Sequence, residues 1–380
     1  MYRKSVYLLV LTVAGMLALG IVMLFSTSAF AQDSHGDPIY FVKRQAIWLV
    51  IGVLACIIAS RVDYHFLQRT WWLWFGLATV LLILCYIPPI GMKINGSRRW
   101  INLVVMSFQP SELAKYASVI FLAWWYSRFE RTASQFRSGL LYPSAIVSIL
   151  LLLIAFEEDL GTTALIGAAT GVIMFVAEVN LLYIVPIVAT GIGGIFFAAM
   201  NMQERFGRLL AFLDLEKYKM GAGLQQWQAL IAFGSGGTSG LGLGEGRQKM
   251  LYVPFAHTDF ILPMIGEELG LRVTLLIVTG YLVIILCGAL ISMGARDRFG
   301  ILLGFGIVTL LALQAGMNIG VVTGLLPNKG LPLPLISYGG SNLIMCLAGI
   351  GILINIYLQG TGETRNRMTT RLRTTVTPRI

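Results

Sequence analysis

The 380-residue sequence is short of charge. Only 12% of its residues are Asp, Glu, Lys or Arg, while 57% are hydrophobic and the mean hydropathy is +0.78. Soluble domains carry about 25% charged residues, and half that fraction cannot cover a water-facing surface. The same composition excludes a disordered or low-complexity chain, apart from the C-terminal tail. The surface of the folded protein must therefore face lipid.

Residues that bind metals or form disulfides are also scarce. There are 3 His and 4 Cys residues, and each cysteine lies in an apolar run without CxxC spacing. Small buried hydrophobic side chains are the ordinary role of such cysteines. Acidic residues number 18 against 28 Lys and Arg, for a net charge of +10. In a membrane chain this excess is first a topology signal, and no nucleic-acid partner is predicted.

Ten apolar runs predict an all-α polytopic membrane protein with about ten transmembrane helices. They cover residues 5–30, 45–60, 71–88, 111–126, 142–156, 162–178, 181–200, 260–292, 299–323 and 342–358. The first run is too long for the core of a signal peptide, so it is predicted to remain as the first helix. An even number of spans puts both termini on one side, and the Lys and Arg residues of the short loops favour the cytoplasmic side. The cations left in the outer loops then indicate an anionic ligand at the outer face.

We expect one transmembrane domain (residues 1–358) with a large outer loop at about 201–258. A basic tail, 359–380, is predicted to be disordered and to contact anionic lipid headgroups. The outer loop contains the run GSGGTSGLGLGEG (234–246). A phosphate-binding P-loop is excluded because no Gly-Lys-Ser/Thr follows and no strand precedes. Two interpretations remain, a loop that approaches other backbone closely and a loop that closes over a substrate.

The motif PFAHTDF (254–260), followed by IGEELG (265–270), places His257, Asp259, Glu267 and Glu268 at the start of the eighth run. Charged groups in a membrane cost about 2.5–3.5 kcal/mol each and usually mark function. Asp259 has two equal interpretations. It is either the N-cap of the following helix or a general base whose pKa partial desolvation raises.

A second motif, NGSRRWINLVVMSFQPSELAK (95–115), contains both acids and bases. Glu112 and Lys115 are three residues apart on one helical face, where they could neutralise each other within lipid. Alternatively, Lys115 faces an anionic group such as a pyrophosphate, together with Arg98 and Arg99. The two arginines are equally compatible with solvated loop charges.

Two outer connections have unusual compositions. LLPNKGLPLPLISYGGSN (325–342) predicts a rigid non-helical segment, which membrane depth tolerates only when it is buried in protein or lines a cavity. EEDLGTTAL (157–165) offers three acids that could bind a divalent ion, although solvated charge is the commoner role of such residues.

These segments resemble the signatures of the SEDS family, the peptidoglycan polymerases FtsW, RodA and SpoVE. The matching segments span residues 5–358 in the family's order: SRRWI…FQPSELAK, DLGTTAL, QALIAFGSGG…GLGLGEGRQKMLYVPFAHTDFI, IGEELG and GLPLPLISYGGS. RQK (247–249), IGEELG and NKGLP are more similar to FtsW than to RodA. The chain departs from the pattern at Phe255, where Glu is usual, and at Glu158, where Pro is usual.

The resemblance implies a GT-C-like fold and a metal-assisted glycosyltransferase that polymerises lipid II at the outer face of the cytoplasmic (inner) membrane. Asp259 matches the family's essential aspartate and would be the catalytic base, with a metal-ligand role also open. The residues predicted to bind substrate are Lys115, Glu112, Arg98, Arg99, His257, Lys249, Ser337 and Glu268, with Arg205 and Arg208 as further cations for a leaving pyrophosphate. A divalent cation (Mg²⁺ or Mn²⁺) is expected, and no organic cofactor.

The resemblance also implies partners and a cellular role. The expected partners are a single-span class B penicillin-binding protein and divisome components, for septal synthesis in cell division, with RodA-like elongation as the alternative. A lipid II flippase is the competing hypothesis, but the charges cluster at one face and no inverted repeat is visible. Small residues in 280–294 and 300–316 would pack either this bundle or the partner, with Gly288 as the test position.

Overall fold

The fold is that of a computed structural model, which describes residues 2–28, 37, 39–88, 90–94, 97–102, 107–249 and 256–375. The helices are α1 (Tyr2–Ser28), α2 (Tyr40–Arg61), α3 (His65–Arg69), α4 (Trp71–Leu84), α5 (Pro110–Arg128), α6 (Tyr142–Phe156), α7 (Leu160–Val176), α8 (Leu181–Met200), α9 (Gln203–Leu213), α10 (Leu224–Gly236), α11 (Ile261–Met293), α12 (Arg298–Val322) and α13 (Gly340–Thr375). All but the short α3, α9 and α10 coincide with the ten predicted runs. The all-α polytopic fold is confirmed.

Seven of the described helices are long and apolar enough to cross a membrane. Two more, α4 and α7, are apolar but have only 14 and 17 residues. The tenth, α5, has 19 residues and includes Glu112 and Lys115, which lower its hydropathy. It nevertheless lies deepest in the bundle, because nearly every residue from Pro110 to Ala123 is buried. At the other extreme, only Ile184 of α8 is buried, so α8 lies at the periphery.

The connection between α4 and α5 forms a small antiparallel sheet that the sequence did not predict. Its strands are β1 (Gly91–Ile94), β2 (Ser97–Asn102) and β3 (Ser107–Phe108), with β2 between the other two. The sheet holds the Arg98–Arg99 pair in extended backbone, so the two neighbouring side chains point to opposite faces.

The Pro- and Gly-rich connection between α12 and α13 is non-helical, as predicted, and its second half is mostly buried in protein. Leu331, Leu333 and Leu335 are each less than 5% exposed. The Tyr281 hydroxyl of α11 donates a hydrogen bond of 2.5 Å to the Pro334 carbonyl. Neighbouring helices thus satisfy backbone that lipid could not.

The glycine-rich run approaches other backbone closely, which is the first of its two predicted interpretations. A methyl group built on Gly236 would stand 2.0 Å from the Gly266 carbonyl oxygen, and one on Gly240 would stand 2.2 Å from that of Glu268. Gly240 also has φ +79°, a conformation that favours glycine. Only glycine allows this run to lie against the start of α11.

Gly288 packs inside the bundle. A methyl group at this position would stand 2.4 Å from Val308 Cγ2 of α12. A leucine there would disrupt the contact between α11 and α12, so the small residues at this point serve the protein's own packing.

The last helix extends into the predicted basic tail. The apolar part of the last helix ends at Gly362, but α13 continues as helix to Thr375. The Arg-rich stretch has no proline before Pro378 and only Gly360 and Gly362 as breakers, so the helix can extend beyond the apolar segment.

Candidate active site

A cavity of about 520 Å³ opens where five connections of the bundle meet. The start of α2, β2, the α6–α7 turn, the α8–α11 segment and the α12–α13 connection all contribute to its wall. Its charged lining residues are Arg44, Arg99, Glu158, Asp159, Arg205, Arg208, Asp259 and Lys329. Cations outnumber acids in this lining, which agrees with the anionic ligand expected at the outer face.

Asp259 lies in the turn before α11 and lines the cavity. The cap position of α11 belongs to Phe260 and has no side-chain cap, so the N-cap interpretation of Asp259 is wrong. The Asn318 side-chain amide donates a hydrogen bond of 2.8 Å to the Asp259 carbonyl and fixes this turn to α12. Burial raises the pKa of the Asp259 carboxyl to about 7, while Arg208 opposes the shift. A carboxyl with this pKa can accept a proton near neutral pH.

The arginines near Asp259 converge on one carbonyl. Arg99 Nη2 donates a hydrogen bond of 2.7 Å to the Glu158 carbonyl, and Arg205 donates to the same oxygen. Burial, followed by Arg99 and Arg208, lowers the pKa of Arg205. Burial and then Arg205 lower the pKa of Lys329. Cations crowded in this way repel one another, and a bound anion would relieve the repulsion.

The acidic turn 157–159 is built for structure rather than for a metal cage. Asp159 caps α7, accepting hydrogen bonds of 3.1 Å from the Thr162 amide and 2.8 Å from its hydroxyl. Glu157 is buried, and burial followed by Asp159 raises its pKa to about 8. Across the described residues, no three His, Cys, Asp or Glu side chains are grouped to hold a metal ion. These described residues therefore offer no preformed protein site for the expected divalent cation.

Glu112 and Lys115 form a buried ion pair of 2.8 Å, with side chains 4% and 2% exposed. Lys115 Nζ also donates to Gln314 Oε1 at 2.7 Å, and Asn342 Nδ2 donates to Glu112 Oε2 at 3.0 Å. Neither charged residue lines the cavity, although Asn342 does. The paired interpretation is therefore realised, and the pair supports the cavity wall from behind.

We expect Lys115→Ala to lower the free energy of unfolding by about 3–5 kcal/mol, because it leaves the Glu112 carboxylate buried without its cation. Denaturant titration of the purified protein in detergent would measure the change. Removing both charges, by Glu112→Gln with Lys115→Met, should restore part of the loss. Lys43→Ala is the control, since Lys43 pairs with Asp37 at an exposed site. Unchanged stability with lost activity would instead assign Lys115 to the substrate.

Apart from Arg99, the other predicted substrate-binding residues stand outside the cavity wall. Lys249 and Glu268 form a buried ion pair of 2.6 Å. The His257 ring packs on Phe41 with centroids 4.2 Å apart, and Ser337 Oγ accepts a hydrogen bond of 2.8 Å from the Leu333 amide. Arg98 points away, donating to the Tyr86 carbonyl. Of the residues named from the sequence, Asp259, Arg99, Arg205 and Arg208 line the cavity. The others lie outside its lining, where their charges and polar groups are satisfied within the protein.

Sequence reasoning missed the part of the wall that α2 builds. Tyr40, Phe41, Arg44 and Trp48 line the cavity, as do Trp100 and Tyr338. Arg44 Nη1 donates a hydrogen bond of 2.6 Å to the Tyr40 hydroxyl. Arg44 and Lys329 were visible as outer cations that topology did not explain, but the aromatic residues carried no signal that distinguishes a cavity wall from a lipid-facing helix.

A multi-pass helical bundle with a carboxyl and a cluster of cations around one cavity defines a membrane protein suited to an anionic ligand. Comparison with known proteins makes this specific. The sequence model of the FtsW/RodA/SpoVE family, described as "Cell cycle protein", matches residues 7–361, and the chain belongs to this family.

Relatives and solved structures extend over nearly the whole chain. A probable peptidoglycan glycosyltransferase FtsW of Geobacter metallireducens is 40% identical over 93% of this chain and 94% of its own length. Stage V sporulation protein E of Bacillus subtilis is 38% identical over 92% and 96%. A chain from a peptidoglycan synthase complex that couples polymerization and crosslinking superposes with TM-score 0.75 at 25% identity, over 93% and 97%. The rod shape determining protein RodA of Thermus thermophilus gives TM-score 0.66 at 25% identity, over 92% and 96%.

Proposed function

We propose that this chain is a peptidoglycan glycosyltransferase that polymerises lipid II, a disaccharide-pentapeptide carried on undecaprenyl pyrophosphate. The observation that carries the proposal is the position of Asp259, a carboxyl with a pKa near 7 in a cavity whose remaining charge is mostly cationic. Glycosyl transfer from a pyrophosphate needs a base for the acceptor and cations for the leaving group. The enzyme class agrees with the names of the relatives.

In the proposed step, Asp259 takes the proton from the 4-hydroxyl of the acceptor GlcNAc. The freed oxygen forms a bond to the anomeric carbon of the donor, and the bond from that carbon to the phosphate oxygen breaks. Undecaprenyl pyrophosphate leaves with the electron pair. Arg99, Arg205, Arg208 and Lys329 line the cavity, where they would stabilise the negative charge that develops on the pyrophosphate. Arg99 and Arg205 are held by the Glu158 carbonyl, so these two cations need little reorganisation during the reaction.

The rest of the cavity wall is chemically different and suits the sugar. Apart from Arg44, this part of the lining is aromatic or neutral and polar: Tyr40, Phe41, Trp48, Ser97, Trp100, Ser107, Gln109, Tyr338, Ser341 and Asn342. Aromatic faces can stack on pyranose rings while amides and hydroxyls bond their hydroxyl groups. His257 packs on Phe41 of this section and is two residues from Asp259. We propose that the cationic residues hold the leaving group and that the neutral residues hold the acceptor within reach of Asp259.

The polymerisation rate is expected to fall as the pH drops below about 7, because protonated Asp259 cannot accept the acceptor proton. Arg208 lowers the pKa of Asp259, so Arg208→Gln should raise that pKa and move the acid limb to higher pH. Initial rates of the purified enzyme across pH 5.5–9 would measure both midpoints. Arg131→Gln, an exposed guanidinium outside the cavity, should leave the midpoint unchanged. Identical limbs for wild type and Arg208→Gln would contradict the assignment of the limb to Asp259.

We also propose a membrane location and a partner for the enzyme. We place the enzyme in the cytoplasmic membrane with both termini cytoplasmic, in line with the Lys and Arg of its short loops. A class B penicillin-binding protein is the proposed partner, supported by a solved relative that comes from a synthase complex joining polymerization to crosslinking. Septal synthesis with divisome components is the proposed role, and it rests on the FtsW-like motifs and on relatives with that name.

The direct test is polymerisation of purified lipid II by the purified protein with its partner, followed by gel separation of glycan strands. Strands longer than the disaccharide, formed when the partner's own transpeptidase is blocked, support the proposal. Transport of labelled lipid II across liposomes without any polymer would assign the cavity to a transporter instead.

A further inference from the structure

Helix α11, which begins two residues after Asp259, is interrupted at its tenth residue, Gly270. Gly270 has φ 78° and ψ −179°, which separates a short helix, residues 261–269, from the membrane span of α11. A methyl group on Gly270 would stand 2.4 Å from the Gly240 amide nitrogen. The short helix is therefore covalently continuous with the span but is not held in line by helical hydrogen bonding through the break.

The glycine-rich loop replaces the lost helical contacts. The amides of Leu241 and Gly242 donate to the carbonyls of Glu267 and Glu268 at 2.9 and 3.0 Å. Leu271, just after the break, donates to the Gly237 carbonyl at 2.9 Å. The last carbonyls of a helix need partners from outside it, and here the loop supplies them.

Two buried carboxylates complete the attachment. Glu267 accepts from the amides of Arg247 and Gln248 at 3.0 and 3.1 Å. Glu268 accepts from the Gly244 amide at 2.9 Å and from Lys249 Nζ at 2.6 Å. Both glutamates are 1% exposed and Lys249 is 3% exposed. The loop is thus tied by main chain and side chain to the helix that begins next to Asp259.

The same cluster reaches α1. Ser26 Oγ donates to both carboxylate oxygens of Glu268 at 2.8 Å, and Lys249 Nζ donates to Ser26 Oγ at 2.7 Å. At the other end of the short helix, Asn318 of α12 holds the Asp259 carbonyl. The short helix is fixed at one end by α12 and at the other by the loop and α1.

We propose that Glu267, Glu268 and Lys249 are positioning residues, which set the orientation of the short helix and so place the Asp259 carboxylate in the cavity. None of these three side chains lines the cavity. The inference rests on the proposed function for its kinetic consequence, because it treats Asp259 as the base. Its structural consequence, the placement of the Asp259 turn, stands independently of that role.

The test compares Glu268→Gln and Ser26→Ala with the wild-type protein in complex with its partner. Glu268→Gln keeps the shape but removes the charge, and Ser26→Ala removes only the bridging hydroxyl. We expect kcat for lipid II polymerisation to fall about ten-fold or more in Glu268→Gln, because small misplacements of a catalytic group are costly. KM should change less than about two-fold, because no binding group is lost. Ser26→Ala should show a smaller loss of the same kind.

Hydrogen–deuterium exchange of the peptide that contains Asp259 supplies the second readout. We expect faster exchange in Glu268→Gln and a lower melting temperature, because Lys249 loses its buried counter-ion, while the purified variant remains folded and monodisperse. Tyr64→Phe is the control, since it removes a partly buried hydrogen bond to Asp297, outside this cluster, and should change neither readout. If Glu268→Gln does not fold, Ser26→Ala carries the test alone.

Unchanged kcat and unchanged exchange in a folded variant would overturn the proposal, as would a raised KM with normal kcat, which would make Glu268 a substrate-binding residue. Failure of the proposed function looks different. In that case Asp259→Asn would stay active, while the exchange of the Asp259 turn would still respond to Glu268→Gln.

Discussion

Asp259→Asn is expected to abolish glycan polymerisation, lowering the rate by about 10²–10⁴-fold. The amide keeps the size and shape of the side chain but cannot take the acceptor proton. The turn itself should be preserved, because Asn318 holds the backbone carbonyl and not the carboxylate. The measurement is the initial rate with lipid II, wild type against variant, at matched protein concentration and at pH 8, where the wild-type carboxylate is ionised.

The stability of the same variant provides its control. Burial raises the pKa of Asp259 from 3.8 to about 7, so the ionised form is disfavoured in the folded state. The neutral carboxyl stabilises the folded state fully below pH 3.8, the ordinary pKa of the group. This stabilisation is lost as the pH rises through the folded-state pKa of about 7. At pH 8, Asp259→Asn should therefore be at least as stable as wild type while inactive. An Asn variant that polymerises near the wild-type rate would place the base elsewhere, and an unfolded one would make Asp259 structural.

Gly330→Ala is expected to lower kcat by about 10–100-fold with little loss of stability. A methyl group on Gly330 would stand 2.6 Å from Asp259 Oδ2, closer than atoms can approach. The cheapest relief is rotation of the Asp259 side chain, since its oxygen is the end of a short flexible group. The fold then survives while the base leaves its place, a combination that rate and melting-temperature measurements would detect together.

Gly316→Ala is the matched control for Gly330→Ala. It adds the same methyl group to α12, where no atom lies within 4 Å, and should leave the rate unchanged. Equal activity of the two alanine variants would show that the Asp259 carboxylate is not constrained by Gly330. A Gly330→Ala protein that fails to fold would show that the connection, rather than the carboxylate, absorbs the methyl group.

The fold could be predicted because lipid restricts spanning segments to helices of known length, so ten apolar runs became ten helices. The sheet between Gly91 and Phe108 escaped prediction, since strands of four, six and two residues leave no usable alternation. The break at Gly270 escaped as well. Residues 260–292 form one apolar run in the sequence. The positive φ of Gly270 is explained only by the close approach of the glycine-rich loop.

The site was predicted in part. Asp259 was singled out because charge at a membrane edge is costly and needs a reason. Arg99, Arg205 and Arg208 were named as cations for a leaving pyrophosphate, and all four residues line the cavity. Lys249 and Glu268 carried the same signal, yet they neutralise each other and meet Ser26, more than 220 residues earlier in the chain. Sequence shows that a buried charge must have a partner, but not whether the partner is substrate or protein. The aromatic residues on the α2 side of the cavity gave no signal, because an aromatic ring against lipid and one against a sugar look alike in sequence.

The burial of α5 has a consequence for how the protein is made. Each of its two charged residues would cost about 2.5–3.5 kcal/mol in an isolated membrane helix. Their mutual pairing is available as soon as α5 is synthesised, but Gln314 and Asn342 come 199 and 230 residues later. Until α12 and α13 enter the membrane, α5 carries polar groups with incomplete hydrogen bonding, and the Asn318 bond to the Asp259 turn cannot form. The catalytic end of the molecule is therefore completed from its C-terminal third, so biosynthesis reaches a competent enzyme only when the last helices have inserted.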